Sequence, residues 1–327
     1  MRITVLSGGV GGARFTRGLL RLLRERLPDG DGGTRARVTV VANTGDDLWL
    51  HGVRVCPDLD TLMYTLGGAV HEEQGWGRRE ESRRVSRDLA AYGLGWEWFT
   101  LGDLDLATHL ARTELLRRGE PLSAVTRRLA RRWSLPVELL PMTDDEVETH
   151  VVTDEGTLHF EEWWVRHRAA LPARGFLQAG VEGASPAPGV LEALAGADVV
   201  LVPPSNPVVS VGTILGVPGV RDALRAAPGP VVGVSPIVGG APVRGMADAC
   251  LTAIGVATDA AAVAEHYGRR VDGGVLDAWL VDDADAPAAR HLSEAGWTAA
   301  AAPTLMTDED AAARVAAAAL DLVGRAP

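Results

Sequence analysis

The chain has 327 residues and a net charge of −11, and all 32 of its basic residues are arginines, set against 43 acidic residues. The absence of lysine excludes Schiff-base chemistry and a lysine general base, and it removes the Walker A lysine of a standard P-loop NTPase. The acidic balance argues against a nucleic-acid partner, and no run of 18 apolar residues is present to cross a membrane.

The first elements read as β-turn-α-β. Arg2 to Ser7 form a buried strand, Gly8 to Gly12 a turn, and a helix follows to about Glu25 with Phe15, Leu19, Leu20 and Leu23 at helical spacing. Pro28 to Gly33 form a polar loop, and Arg37 to Ala42 a second strand. This opening implies a parallel sheet. From about Val70 to Trp133 the pattern becomes helical and arginine-rich, with twelve of the 32 arginines between Arg78 and Arg132. There a helix starting at Pro121 buries Leu122, Val125, Leu129 and Trp133 and turns Arg127, Arg128 and Arg131 outward. This stretch, roughly 70–135, is expected to be a helical insertion. Glu148 to Val152 lie in an expected hairpin between Leu139 and Trp164, at an edge of the sheet. Strands return at Asp198 to Val202, Pro230 to Val234 and Val275 to Val281, with helices between them. One helix starts near Thr258 as N-cap, and the last runs from about Asp308 to Val323. The expected class is α/β, a Rossmann-like three-layer sandwich with a mainly parallel sheet.

Cys56 and Cys250 match no metal or CxxC spacing and read as small buried hydrophobes in a reduced compartment. The opening residues MRITVLSGGVGGARF show no secretory h-region, so a cytoplasmic location is expected.

Three loops carry candidate chemistry. Gly8-Gly9-Val10-Gly11-Gly12-Ala13-Arg14 follows the first strand, where glycine backbone and a helix N-terminus favour an anion. It is not the dinucleotide fingerprint, because Arg14 stands at the third glycine position and Asn43 replaces the acidic residue expected after strand two. Asn43-Thr44-Gly45-Asp46-Asp47 ends the second strand, followed by His51-Gly52 and Pro57-Asp58-Leu59-Asp60-Thr61. Four clustered carboxylates suit Mg²⁺; the competing reading is that Asp58 caps a helix beginning near Leu59. The third site pairs Ser205-Asn206, Ser210, Gly212 and Thr213 with Ser235, Gly239 and Gly240, again at strand C-termini. His51 and His109 lie near these loops, but no HxH or HxxxH spacing exists.

The ordered set GGVGGARF (Gly8 to Phe15), NTGDDLWLHG (Asn43 to Gly52), CPDLDTLMYTLGG (Cys56 to Gly68), GWG (Gly75 to Gly77), LGDLDLATH (Leu101 to His109), PPSNPVVSVGTIL (Pro203 to Leu215) and SPIVGG (Ser235 to Gly240) resembles the CofD family, the 2-phospho-L-lactate transferases, and most closely its actinobacterial phosphoenolpyruvate-transferase branch. The resemblance implies a single domain over residues 1–327, homodimeric, working in coenzyme F-420 biosynthesis. It implies transfer of a phosphoenolpyruvyl or 2-phospholactyl group from a guanosine diphosphate-linked donor to the ribityl hydroxyl of a deazaflavin precursor, releasing GMP. By the same resemblance Asp46 and Asp47 are catalytic, Asp47 and Asp60 hold Mg²⁺ with Asp58 behind them, and Asp46, Asp47, His51 and Arg78 contact the deazaflavin. The glycine loop with Arg14 and the two serine loops would hold guanylate and phosphate. Two departures stand out: Arg244-Gly245 replaces a lysine-glycine pair common in the family, and GWG continues as Arg78-Arg79-Glu80. The rival reading from another class is a non-catalytic nucleotide-sugar-binding regulator of the gluconeogenesis-factor type. A nicotinamide oxidoreductase is disfavoured by the broken fingerprint.

Overall fold

The computed structural model describes residues 1–95 and 98–325. β1 (Arg2–Ser7) leads into α1 (Gly9–Arg26), and β2 (Arg37–Ala42) returns parallel to β1 with Arg2 opposite Arg37 and Ser7 opposite Ala42. The expected five-residue glycine turn is shorter, because the helix already begins at Gly9. Gly11 and Gly12 are helical, and glycine is needed there for close packing: a Cβ would overlap the Pro204 carbonyl at Gly11 and the Ser7 hydroxyl at Gly12.

After β2 the chain forms the β3 (Leu48–Leu50) and β4 (Val53–Val55) hairpin and α2 (Pro57–Leu66). The arginine-rich region supplies α3 (Arg84–Ala91), α4 (Asp103–Arg117) and α5 (Leu122–Ala130). Pro121 is the N-cap of α5 and not its first helical residue. Leu122 and Val125 are buried and Arg127, Arg128 and Arg131 exposed, as the spacing implied, but Leu129 and Trp133 are half-buried and Trp133 lies in a turn beyond the helix end at Ala130. β5 (Glu138–Pro141) then pairs parallel with β2 and forms the sheet edge. The expected hairpin exists as β6 (Glu148–Thr153) and β7 (Gly156–His159), but it does not join that edge. It pairs with β8 (Ala173–Ala179) in a separate antiparallel sheet, because β5 already covers β2.

The second half alternates α6 (Val190–Ala195), β9 (Val199–Val202), α7 (Val211–Gly216), α8 (Val220–Arg225) and β10 (Val231–Val234). A small hairpin of β11 (Ile237–Val238) and β12 (Ala241–Pro242) precedes α9 (Ala247–Ala253) and α10 (Ala260–Tyr267). The cap of α10 is Asp259 and not Thr258, since the Asp259 carboxylate accepts the Ala261 and Ala262 amides. The chain ends with β13 (Ala278–Val281), α11 (Ala286–Glu294), β14 (Thr298–Ala301) and α12 (Glu309–Asp321), the last capped by Asp308.

The central sheet has the order β14-β13-β10-β9-β1-β2-β5, and all six pairings are parallel. Strand alternation divides the interior into two cores. Val5, Val40, Val199 and Leu201 face α1, α2 and α12, whereas Leu6, Val41, Val200 and Val202 face the other layer, α6 to α11. The result is the three-layer sandwich. β1 lies between β2 and β9, so the chain moves outward from β1 in one direction and later from β9 in the other. The C-terminal ends of β1 and β9 are therefore the switch point where open α/β sheets form a ligand crevice.

Candidate active site

Asp58 ties the crevice together. It lies in the first turn of α2, and its carboxylate reaches out of that helix: Oδ1 accepts the Gly9 amide at 2.7 Å and Oδ2 accepts Asn43 Nδ2 at 3.0 Å. It therefore serves the start of α1 and the loop after β2, and it does not cap α2. Asn43 Oδ1 in turn accepts the Gly45 amide at 2.9 Å, fixing the loop that carries Asp46 and Asp47.

Asp46 and Asp47 are buried, and Asp47 is fully so. Among the described residues, Asp46 Oδ1 has no hydrogen-bond partner, and neither Asp47 oxygen receives a nitrogen or hydroxyl donor. Asp47 faces the weak Cys56 thiol and the Arg54 guanidinium, 3.8 Å from Oδ2, a Coulombic contact too long for a hydrogen bond, with the Arg112 charge adding a weaker pull. Glu161, just beyond β7, is buried beside Asp46, Asp47 and Asp58. Burial pushes the Asp47 carboxyl up to about 7 against the pull of Arg54, and pushes Asp58 to about 6 against its hydrogen bonds from Asn43 and Gly9. Glu161 rises to about 8 through burial and then the charges of Asp58 and Asp47. Asp46 also rises well above its usual range, from burial first and then Asp58, Glu161 and Asp47. Carboxylates this short of positive charge favour protons or an added cation.

Asp60 has a different environment. Arg112 Nη2 of α4 donates to its Oδ1, while Oδ2 lies 3.5 Å from His109 Nδ1 and has no hydrogen-bond partner. Burial raises its pKa, opposed by Arg112 and His109.

The remaining sequence candidates fall into two groups. Gly8, Val10, Gly11, Gly12 and Arg14 lie at the start of α1, and Ser205 crosses the switch point, accepting the Gly8 amide at 3.1 Å and donating to the Gly8 carbonyl at 2.8 Å. Ser210 packs below Gly8, where a Cβ would come within 2.6 Å of the Ser210 Cβ. Gly212 has similar close contact with the Pro207 carbonyl. Several polar side chains are committed to their own loops. Asn206 Oδ1 accepts the Val208 and Val209 amides, Thr213 donates to the Val209 carbonyl, and Ser235 bonds both ends of Ile237. Gly239 and Gly240 both take positive φ, and the Gly239 amide donates to Asp285. Two candidates are not brought to the carboxylates. Arg78 is buried against Tyr64 and Trp133 and donates to the Leu104 carbonyl at 3.0 Å, so it ties α2, α4 and the turn after α5 together. His51 is at the exposed tip of the β3–β4 hairpin, a strand length of roughly 13 Å from Asp47. Arg244 donates to the Glu73 carbonyl and covers the Trp76 ring at 5.4 Å.

Residues 3–320 match the family described as 2-phospho-L-lactate transferase CofD. The chain belongs to the CofD family. It is 57% identical to proteins named phosphoenolpyruvate transferase from Streptomyces coelicolor and Thermobifida fusca, across 98% of both chains in each case. The protein of the same name from Mycolicibacterium smegmatis is 51% identical across 99% of both chains. Two crystal structures of a Bacillus halodurans protein, one titled as a member of the UPF0052 family, align with TM-scores of 0.62 and 0.61 over 98% of this chain and 99% of that one. At 17% identity they support the fold alone. The protein is accordingly a transferase of coenzyme F-420 biosynthesis, as the ordered motifs implied.

Three members of this carboxylate cluster escape sequence reasoning. Arg54 sits in a short alternating strand where an arginine reads as outward, yet it is buried between Asp47 and Glu148, 3.5 Å from the latter. Arg112 follows the recognised LGDLDLATH segment, and its helical spacing from Asp105 and His109 was the available signal. Glu161 lies in a segment without motif, and only the packing of β6 and β7 brings it in.

Proposed function

We propose that the protein transfers a phosphoenolpyruvyl group from a guanosine diphosphate-linked donor to the terminal ribityl hydroxyl of the deazaflavin precursor, releasing GMP. The observation that carries this reading is the set of donorless buried oxygens of Asp46 and Asp47, on a loop tied to the start of α1 through Asn43 and Asp58. The hydroxyl oxygen attacks the phosphorus bearing the enolpyruvyl group, and the bond from that phosphorus to the bridging oxygen breaks, so GMP departs with that oxygen. No covalent enzyme intermediate is needed; positioning and charge stabilisation supply the catalysis. Asp46 Oδ1 accepts the hydrogen bond of the attacking hydroxyl, orients it and takes up its proton as the new O–P bond forms. Gly9 and Gly8 have already committed their amides to Asp58 and Ser205, which leaves Val10 and Gly11 as first-turn donors for the donor's phosphates, with Arg14 beside them.

An oxygen-only donor set fits a hard divalent cation. Asp47 and Asp60 would hold Mg²⁺ through their unpartnered oxygens, with Asp58 fixing the loop behind them. The cation would supply neutralisation of the transferring phosphoryl charge. The close relatives named phosphoenolpyruvate transferase favour enolpyruvate over lactate as the three-carbon unit. Incubating the protein with the deazaflavin precursor, each of the two guanylate donors and Mg²⁺ tests both points. GMP release with the enolpyruvyl donor exceeding that with the lactyl donor is expected. No GMP above a no-enzyme blank would refute the transfer, and lead back to a binding role.

A further inference from the structure

Asp105, His109 and Arg112 stand at i, i+4 and i+7 on α4, so they share one face of the helix, and that face meets Asp60 of α2. Arg112 is 1% exposed. Its Nη2 is on Asp60 Oδ1, and its Nη1 donates to the Arg54 carbonyl at 3.2 Å and lies 3.2 Å from His109 Nδ1. His109 Nδ1 thus lies beside both Arg112 Nη1 and Asp60 Oδ2, and its Nε2 lies 3.3 Å from Asp105 Oδ2. Tyr64 donates its hydroxyl to the other Asp105 oxygen at 2.7 Å. Among the described residues, Asp60 Oδ2 is buried without a hydrogen-bond donor, whereas Oδ1 is taken by Arg112.

Asp60, Asp105 and His109 each bring a ligand atom to within 4.8 Å of the others, the spacing of a metal trio. Arg112 already bonds two of these three residues and provides the positive charge there. What remains open to a cation is one oxygen of Asp60, Oδ2.

We propose that Arg112 is a specificity-determining residue of the cation centre: by occupying Asp60 Oδ1 it restricts Asp60 to one coordinating oxygen, and so favours Mg²⁺ and Mn²⁺ over Ca²⁺. Small octahedral cations take carboxylates one oxygen at a time and keep several waters. Ca²⁺ collects six to eight oxygens and gains from two-oxygen carboxylate binding. The inference rests on the reading that Asp47 and Asp60 hold the cation.

The test uses the full chain without substrates. Mn²⁺ binding is followed by the loss of its free electron paramagnetic resonance signal, and Ca²⁺ is titrated as competitor. For the wild type, Ca²⁺ competes at least about tenfold more weakly than Mn²⁺ itself. Arg112→Met frees Oδ1 and shifts the Ca²⁺/Mn²⁺ preference about tenfold or more towards Ca²⁺, while Arg112→Lys, which keeps a donor on that oxygen, stays within about twofold of wild type. An unchanged preference in a folded Arg112→Met protein overturns the proposal. Should that variant not fold, the wild-type result decides: Ca²⁺ competing as well as Mn²⁺ overturns it. A wild type that binds no Mn²⁺ overturns both this inference and the cation reading beneath it. Selective Mn²⁺ binding without GMP release supports the inference and refutes only the proposed transfer.

Discussion

Asp58 and Asp47 use the same side chain in opposite ways. Asp58 gives one oxygen to the Gly9 amide and the other to Asn43, whereas Asp47 keeps both oxygens free of strong donors in a fully buried position. Replacing each by asparagine separates these roles. In Asp58→Asn the new amide NH₂ opposes Asn43 Nδ2, and Asn43 cannot flip without releasing the Gly45 amide. A loss of about 1–3 kcal/mol is expected, as for other buried polar groups left unpaired. Asp47→Asn removes a buried charge with little compensation, so the cation-free protein should be as stable as wild type or more so, with GMP release abolished. Urea melts paired with the GMP assay check this; equal destabilisation by both variants would contradict the division. The four aspartates were legible because they fall within fifteen residues of one another, Asp46 to Asp60. The groups that set their electrostatics, Arg54, Arg112 and Glu161, come from a strand, a helix and the helical turn after β7, which only tertiary packing unites.

At the scale of elements, α1 was legible on its buried side: Phe15, Leu19, Leu20 and Leu23 are all enclosed as their spacing required. Its partner was not. α12 lies so close to α1 that a Cβ on Gly18 would overlap the backbone of Ala312 and Ala313, and nothing in either segment alone marks that contact. Gly18→Ala is the test. Alanine favours a helix over glycine by about 1 kcal/mol, but here the obstruction is backbone, which cannot rotate away, and overpacking typically costs about 1–3 kcal/mol. The steric effect should win, giving a lower urea midpoint with an unchanged slope. A raised midpoint would mean that the two helices separate easily. β14 shows the opposite limit of sequence reading. Thr298-Ala299-Ala300-Ala301 carries no strand pattern of its own and is extended because β13 offers it a parallel ladder.

At the scale of the whole molecule, the −11 charge and the absence of lysine acquire a specific consequence. The fold concentrates carboxylates in its interior with too little positive charge, and so couples its stability to protons and to cations. Asp47 at about 7 and Glu161 at about 8, with Asp46 also raised, hold protons when folded that the unfolded chain has released near its ordinary values. The unfolded state then binds fewer protons, so stability falls as pH rises through this range. Other shifted groups do not mask the effect above pH 7. His159 and His266, whose pKa values burial lowers, favour the folded state as pH rises, but that contribution is complete near their ordinary value of 6.5. Asp282 and Asp308, held low by hydrogen bonds, change only in acid. In EDTA the melting temperature should therefore decline from pH 7 to 8.5. A divalent cation binds the ionised carboxylates and opposes this trend, so the gap between Mg²⁺-saturated and EDTA-treated protein should widen across the same interval. Calorimetric scans at half-unit steps measure both curves. Parallel curves would mean that the cation does not bind at these carboxylates, and an EDTA curve that is flat would mean that they are ionised in the folded protein throughout.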